Sequence, residues 1–329
     1  MKRIAIVGLG KMGIIHASML NVMPDVELVA FCEKIPLVRR YSPRVFKKIK
    51  MVSDIKDLSS FNLDAIYVTT PTSTHLPVVS TIYADKLAPN LFVEKPLTSG
   101  YTDSEALCNL AKNHSGVQMV GYNRRFIITF KKAKQIVDEG TLGELISFEA
   151  YAYSPDFLGA TDTARPIALG GVLRDLGCHA IDLILWFFGV INIETAHIGS
   201  IIGNNSEDSV KVKVKNAAGL TGELKCSWCM ERQNFHGIGL TISGSKGTLQ
   251  ANEDKVVLKL SNGKSFQWYK QDLNDNVPFM LAGTDYFRED QYFIKSITDG
   301  SAVEPNFKTA LEVDRIIEQV RKKARGDNP

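Results

Sequence analysis

The chain has 329 residues, of which 44% are hydrophobic and 23% charged. That is the profile of a water-soluble globular protein with about two domains. The formal net charge of +3 points to neither a nucleic-acid partner nor a membrane surface. The most apolar run, Ile181 to Phe188, is too short to span a bilayer and carries Asp182. The N-terminal MKRIAIVGLG runs straight into glycines without a signal-peptide cleavage pattern, so a cytoplasmic protein is expected. Five cysteines are an odd number in a large chain and do not form a disulfide framework. Cys226 and Cys229 make one CxxC with no second pair, which reads as two strand cysteines rather than a zinc or redox site.

Residues 3–7 read as a strand, 11–22 as a helix and 26–31 as a second strand. Residues 63–69 form another strand, 77–84 a helix, 91–94 a strand, 102–113 a helix and 117–121 a strand. Strands alternating with helices imply βαβ units and a doubly wound parallel sheet. The pattern changes after residue 122. A helix over 131–139, a strand over 145–153 and a helix over 172–188 precede strand-like runs at 193–201, 208–215, 220–229, 237–243, 247–251 and 255–260. Consecutive strands predict a mostly antiparallel or mixed sheet. Helices over 285–298 and 307–325 close the chain. The expected division is an α/β domain over 1–122 and a second α/β domain over 123–329.

Gly8, Gly10, Lys11, Met12 and Gly13 lie in a G-x-G-x-x-G between the first strand and helix, the context this motif needs for dinucleotide binding. The first glycine permits the turn, the second lets the backbone approach a pyrophosphate, and the third lets helix and strand pack closely. Helix N-terminal amides favour the phosphates. Glu33 ends the second strand, where an acid bonds ribose hydroxyls and selects NAD. Lys34, Arg39 and Arg40 keep NADP as the alternative. Thr70, Pro71 and His75 follow a strand end, where ligands bind in such sheets. Local packing is the other reading of His75.

LFVEKPL, residues 91–97, ends an apolar strand with Glu94 and Lys95. Pro96 cannot continue the ladder and holds Lys95 extended, aiming its amine into the ligand crevice. Glu94 offsets that charge and orients the amine. In GGVLRDLGCHAIDLILWFFG, residues 170–189, Asp175 and His179 are four residues apart, and Asp182 joins them on one helix face. A carboxylate and an imidazole on a mostly apolar helix are costly unless they serve something. His179 can take a proton near neutral pH. The glycines before the helix would let a ligand approach the backbone. Asp175 and His179 also suit two metal ligands, but no third follows and no metal is expected.

Taken in order, GLGKMG (8–13), TTPTSTH (69–75), EKPL (94–97), GYNRRF (121–126), GTLGEL (140–145), GGVLRDLGCHAIDL (170–183) and GSKGTL (244–249) resemble the Gfo/Idh/MocA oxidoreductases. The resemblance covers nearly the whole chain. It implies an N-terminal Rossmann domain followed by an α/β domain with a large, mostly antiparallel open sheet. Association as a homodimer or homotetramer through that sheet is also implied. The implied reaction moves a hydride between nicotinamide and a carbon bearing hydroxyl or keto oxygen in a sugar, sugar derivative or cyclitol. Lys95, Asp175 and His179 match the catalytic positions, and the Lys95–Pro96 bond would be cis. Asn123 and Arg124 fall beside cofactor and substrate, and His236 near the substrate. Leu169 stands where many relatives carry a third glycine. Arg174 is unusual beside Asp175, and a surface ion pair is the preferred reading over a carboxylate- or phosphate-binding role. Two alternatives in the wider family are an NAD-dependent glycosidase or lyase that recycles its cofactor and a non-catalytic cofactor-sensing regulator.

Overall fold

The structure, a computed structural model, describes residues 1–157, 169–201, 207–230 and 237–326. The chain divides into two compact units. One comprises Met1–Asn123 with Val277–Leu311, and the other Arg124–Asn276 with Glu312–Pro329.

The first unit is built on a six-stranded parallel sheet of β1 (Lys2–Val7), β2 (Val26–Cys32), β3 (Lys50–Val52), β4 (Ala65–Val68), β5 (Asn90–Glu94) and β6 (Gln118–Gly121), in the order β3-β2-β1-β4-β5-β6. This is the dinucleotide-binding order, in which the direction of winding reverses between β1 and β4. Ile4 to Val7 and Ala65 to Val68 are buried without alternation, because helices cover both faces of such a sheet. The connections include α1 (Lys11–Leu20), α2 (Pro36–Tyr41), α3 (His75–Ala84) and α4 (Tyr101–Ala111). β3 and α2 were not foreseen. Lys50-Met51-Val52 is too short to show a period, and Pro36 opens only a six-residue helix.

The second unit carries α5 (Ile128–Asp138), β7 (Leu145–Tyr153), α6 (Cys178–Phe188) and β8 to β14, which are Ile191–Gly199, Ser209–Asn216, Thr221–Ser227, Gly237–Gly244, Gly247–Asn252, Lys255–Leu260 and Ser265–Tyr269. Its eight-stranded sheet runs β14-β13-β12-β11-β7-β10-β9-β8. Only the β7–β10 pair is parallel; the other pairs are antiparallel. The expected fold class is therefore observed in both units. β9 shows why one face is covered: Val210, Val212 and Val214 are buried while Lys211, Lys213 and Lys215 face water, the alternation of a half-buried strand. α5 buries Phe130, Ala133 and Ile136 and packs against β12 and β13. The unforeseen β14 is an edge strand whose residues are mostly exposed, so it lacks the apolar signal of an interior strand.

Two closing helices remain. α7 (Thr284–Asp299) belongs to the first unit, and α8 (Phe307–Arg325) counts with the first up to Leu311 and with the second from Glu312. Among the described residues no helix is long and apolar enough to cross a membrane.

Candidate active site

In the first unit, the candidate residues gather at the carboxyl ends of β1, β2, β4 and β5. Gly8 follows β1 with φ +96°, a conformation that favours glycine. A Cβ there would meet Thr70 at 2.9 Å. A Cβ on Gly13 would lie 2.0 Å from the Gly8 carbonyl oxygen, so glycine is what lets α1 approach β1. Gly10 differs from both: a Cβ there would meet nothing within 4 Å. Open space beside a backbone amide at a helix N-terminus is the cradle a pyrophosphate requires. Thr69 ties the two strand ends by donating its hydroxyl to the Gly8 carbonyl at 2.6 Å. Lys11 is exposed, and Met12 is half-buried.

Glu33 is buried at the end of β2, and its carboxylate accepts from the amides of Leu9 (2.7 Å) and Ile35 (2.8 Å). The acid is thereby fixed against the glycine turn. Each oxygen keeps a lone pair for a ribose hydroxyl. Lys34 is exposed, while Arg39 donates to the Glu33 and Lys34 carbonyls at 2.8 and 2.6 Å. Arg39 thus braces the loop that carries the acid. The residues present fit NAD.

Thr70 is half-buried and Pro71 exposed. His75 is buried, with Nε2 2.8 Å from the Thr70 carbonyl and Nδ1 3.1 Å from that of Leu97. Its pKa is lowered because desolvation outweighs those two carbonyls. His75 thus links two loops, as the local-packing reading has it. Glu94 points inward: one oxygen lies 2.9 Å from His16 Nε2, and the other accepts from the Lys95 amide at 3.1 Å. Lys95 is half-buried, and the Lys95–Pro96 bond is cis. Asn123 is buried and donates to Asp285 at 2.6 Å.

In the second unit, the helix bearing the other candidates opens at residues 171–172, passes through a π-helical turn, Leu173–Gly177, and continues as α6. Such turns widen a helix and occur frequently at functional sites. Asp175 lies inside the turn, half-buried, and His179 follows it, 6% exposed. The i, i+4 geometry of a regular α-helix therefore does not apply between them. Asp182 is fully buried and accepts from Arg125 at 2.8 and 2.7 Å, a two-pronged pair. The Arg125 guanidinium also lies 5.8 Å from the Trp186 ring centroid.

The preferred surface reading of Arg174 is corrected. It is buried and pairs with the equally buried Asp314 at 2.8 Å. The glycines before the helix admit protein atoms rather than a ligand. Cβ atoms on Gly170 and Gly171 would meet Arg174 at 2.9 Å and Glu207 at 2.5 Å. Glu207 accepts from the Leu173 amide at 3.1 Å and pairs with Arg321 at 2.7 Å, anchoring the helix start. Arg124 forms an ion pair with Glu253. His236 lies outside the described residues. Cys226, buried in β10, packs against Gly177, where a Cβ would meet its sulfur at 2.9 Å.

Two family models match the chain: "Oxidoreductase family, NAD-binding Rossmann fold" over residues 2–122 and "GFO/IDH/MocA C-terminal domain" over residues 130–250. The chain belongs to the Gfo/Idh/MocA family of oxidoreductases. Inositol 2-dehydrogenase of Rhizobium meliloti (strain 1021) is 25% identical over 320 residues, covering 94% of this chain and 92% of the relative. Myo-inositol 2-dehydrogenase of Thermotoga maritima is 29% identical over 323 residues, covering 91% and 89%. A levoglucosan dehydrogenase solved in complex with NADH superposes with a TM-score of 0.88 at 19% identity, covering 99% of this chain and 98% of that one. At that identity the likeness establishes the fold. The glycine turn and the EKP segment lie within the first matched range, and the Asp175–His179 segment lies within the second.

Sequence reasoning missed His16, Asp290 and Glu207. His16 alone left a trace, as an imidazole three residues past Gly13 in an otherwise largely apolar helix.

Proposed function

We propose that this protein is an NAD-dependent dehydrogenase that oxidises a CH–OH group of a sugar, sugar derivative or cyclitol, with Lys95, Asp175 and His179 as its catalytic residues. One observation carries the reading. The open Gly10 cradle, Glu33, Thr70 and Lys95 all stand at the carboxyl ends of strands in one parallel sheet, where ligands bind in this architecture. The two inositol dehydrogenase relatives, aligned over nearly the whole chain, support the substrate class.

When bound, NAD supplies the hydride acceptor. Gly8, Gly10 and Gly13 admit its pyrophosphate, with Lys11 and Met12 at the helix start. Glu33 bonds the adenosine ribose and disfavours a 2′-phosphate, with Lys34 beside it. Thr70, Pro71, His75, Glu94 and Asn123 border the nicotinamide side directly or through the loops they hold. Lys95 donates to the substrate oxygen and polarises it. His179 takes the hydroxyl proton as general base, and Asp175 orients the substrate or the imidazole. Arg124 and His236 belong to the substrate side in this reading.

The second unit serves as the substrate domain. A homodimer or homotetramer associated through the eight-stranded sheet is proposed, in the cytoplasm. Five buried cysteines outside any disulfide are consistent with a reducing compartment.

The test is turnover of Lys95→Ala and His179→Ala. Each should lose ~10²–10⁴ in kcat, the usual worth of a positioned acid or base, with NAD affinity retained. Wild-type turnover in both would remove the assignment.

A further inference from the structure

His16 is fully buried on the inner face of α1. Tyr67, Phe92 and Tyr286 surround the ring, with centroids at 5.4, 4.9 and 6.1 Å. Nothing in an apolar box of that kind calls for an imidazole. Its polar contacts explain it. Nδ1 lies 2.7 Å from Asp290 on α7, and Nε2 lies 2.9 Å from Glu94 at the end of β5. The other Glu94 oxygen receives the Lys95 amide at 3.1 Å. An unbroken chain therefore runs from Asp290 through His16 and Glu94 to the main chain of Lys95. Gly121 closes the far side, since a Cβ there would sit 3.2 Å from the Glu94 carboxylate.

We infer that His16 is a positioning residue, holding the Glu94 carboxylate in the one orientation that pins the Lys95 backbone at the end of β5. The inference rests on the reading that Lys95 is catalytic. A carboxylate tethered at one oxygen only is free to rotate. Tethered at both, it fixes the peptide from which the lysine side chain departs. Small misplacement of a reacting group is enough to slow a reaction on the order of 10²-fold. Burial opposes an imidazolium at His16, but Asp290 and Glu94 outweigh it and hold its pKa well above the ordinary value. Each ring nitrogen thus faces a carboxylate oxygen.

The two ring nitrogens can be replaced separately. Glutamine places its amide nitrogen near the Nε2 position and keeps the Glu94 contact. Asparagine places its own near Nδ1 and keeps the Asp290 contact. Each variant gives up one bond, so a purely structural role would lower stability and turnover alike in both. As a positioning residue, His16→Gln retains most of the turnover. His16→Asn loses on the order of 10² in kcat, with the dissociation constant for NAD unchanged. In the Lys95→Ala background His16→Asn adds no further loss, because the residue it positions is gone.

Equal effects of Gln and Asn, or a full additional loss in the Lys95→Ala background, would overturn the inference. If Lys95→Ala itself turns over like wild type, the catalytic reading of Lys95 has failed first. Should His16→Asn melt below the assay temperature, Glu94→Gln takes its place. It keeps one acceptor where two are needed and is expected to lower kcat, with no further loss in the Lys95→Ala background. Unchanged kcat in that variant would count equally against the inference.

Discussion

Gly10 and Gly13 sit three residues apart in one turn, yet alanine should destabilise the fold at only one of them. At Gly13 the new methyl would lie 2.0 Å from the Gly8 carbonyl oxygen and 2.9 Å from Thr69 Oγ1. The first contact is with backbone, so α1 must move off β1. Overpacking of this kind costs about 1–3 kcal/mol. At Gly10 the backbone is extended, with φ −70° and ψ −168°, and the methyl would meet no protein atom within 4 Å. Only a poorer N-cap is lost there, about 1 kcal/mol at most. The methyl would instead occupy the approach used by a pyrophosphate. Gly10→Ala should therefore melt close to wild type and lose at least ~10-fold in NAD affinity, about 1.4 kcal/mol. Gly13→Ala should lose both stability and binding. Thermal melts paired with calorimetric titration of NAD read both quantities. Wild-type NAD affinity in a well-folded Gly10→Ala would refute the placement of the phosphates.

Glu33→Ala should weaken NAD more than NADP, as the ribose partner is removed and the barrier to a 2′-phosphate falls. Equal weakening in titrations of the two would detach Glu33 from the ribose. Arg174→Ala breaks the buried ion pair with Asp314 and should cost about 3–5 kcal/mol in denaturant unfolding. A cost near zero would mean that the pair is open to water. Glu289 is fully buried, and both its oxygens lack a hydrogen-bond partner among the described residues. Burial raises its pKa well above the ordinary value. A raised carboxyl favours the folded state while protonated, and that favour is lost as pH rises from the unfolded pKa through the folded one. The slope is at most about 1.4 kcal/mol per pH unit. Glu289→Gln should therefore raise the melting temperature increasingly from acid to neutral pH, and a gain independent of pH would contradict this.

The parallel sheet was readable because interior strands such as Ala65–Val68 are uninterrupted apolar runs and helices intervene at regular spacing. The glycine turn was readable because its spacing encodes backbone geometry directly. Long-range pairing left no such signature. Arg174 looks like any surface arginine until α8 brings Asp314 to it, 140 positions along the chain. Likewise, Glu94 reads as the partner that orients the Lys95 amine until His16 and the Lys95 amide are seen to bond its oxygens. The π-helical turn at Leu173–Gly177 also escaped notice, since five residues of such a turn carry no period distinct from an α-helix. Gly170 and Gly171 read as room for a ligand to approach the backbone. Their neighbours proved to be Arg174 and Glu207 rather than a ligand, because glycine records space and not its occupant.

The central claim is that Lys95 serves the oxidation of a CH–OH carbon by NAD. The most direct measurement follows reduced-nicotinamide absorbance with NAD and a panel of inositols, sugars, sugar acids and nucleotide sugars, for wild type and Lys95→Ala in parallel. The account predicts sustained growth on at least one compound with wild type and a slope lower by ~10²–10⁴ with the variant. Equal slopes for the two proteins, or product formed from a polyol with no net reduced nicotinamide, would contradict it.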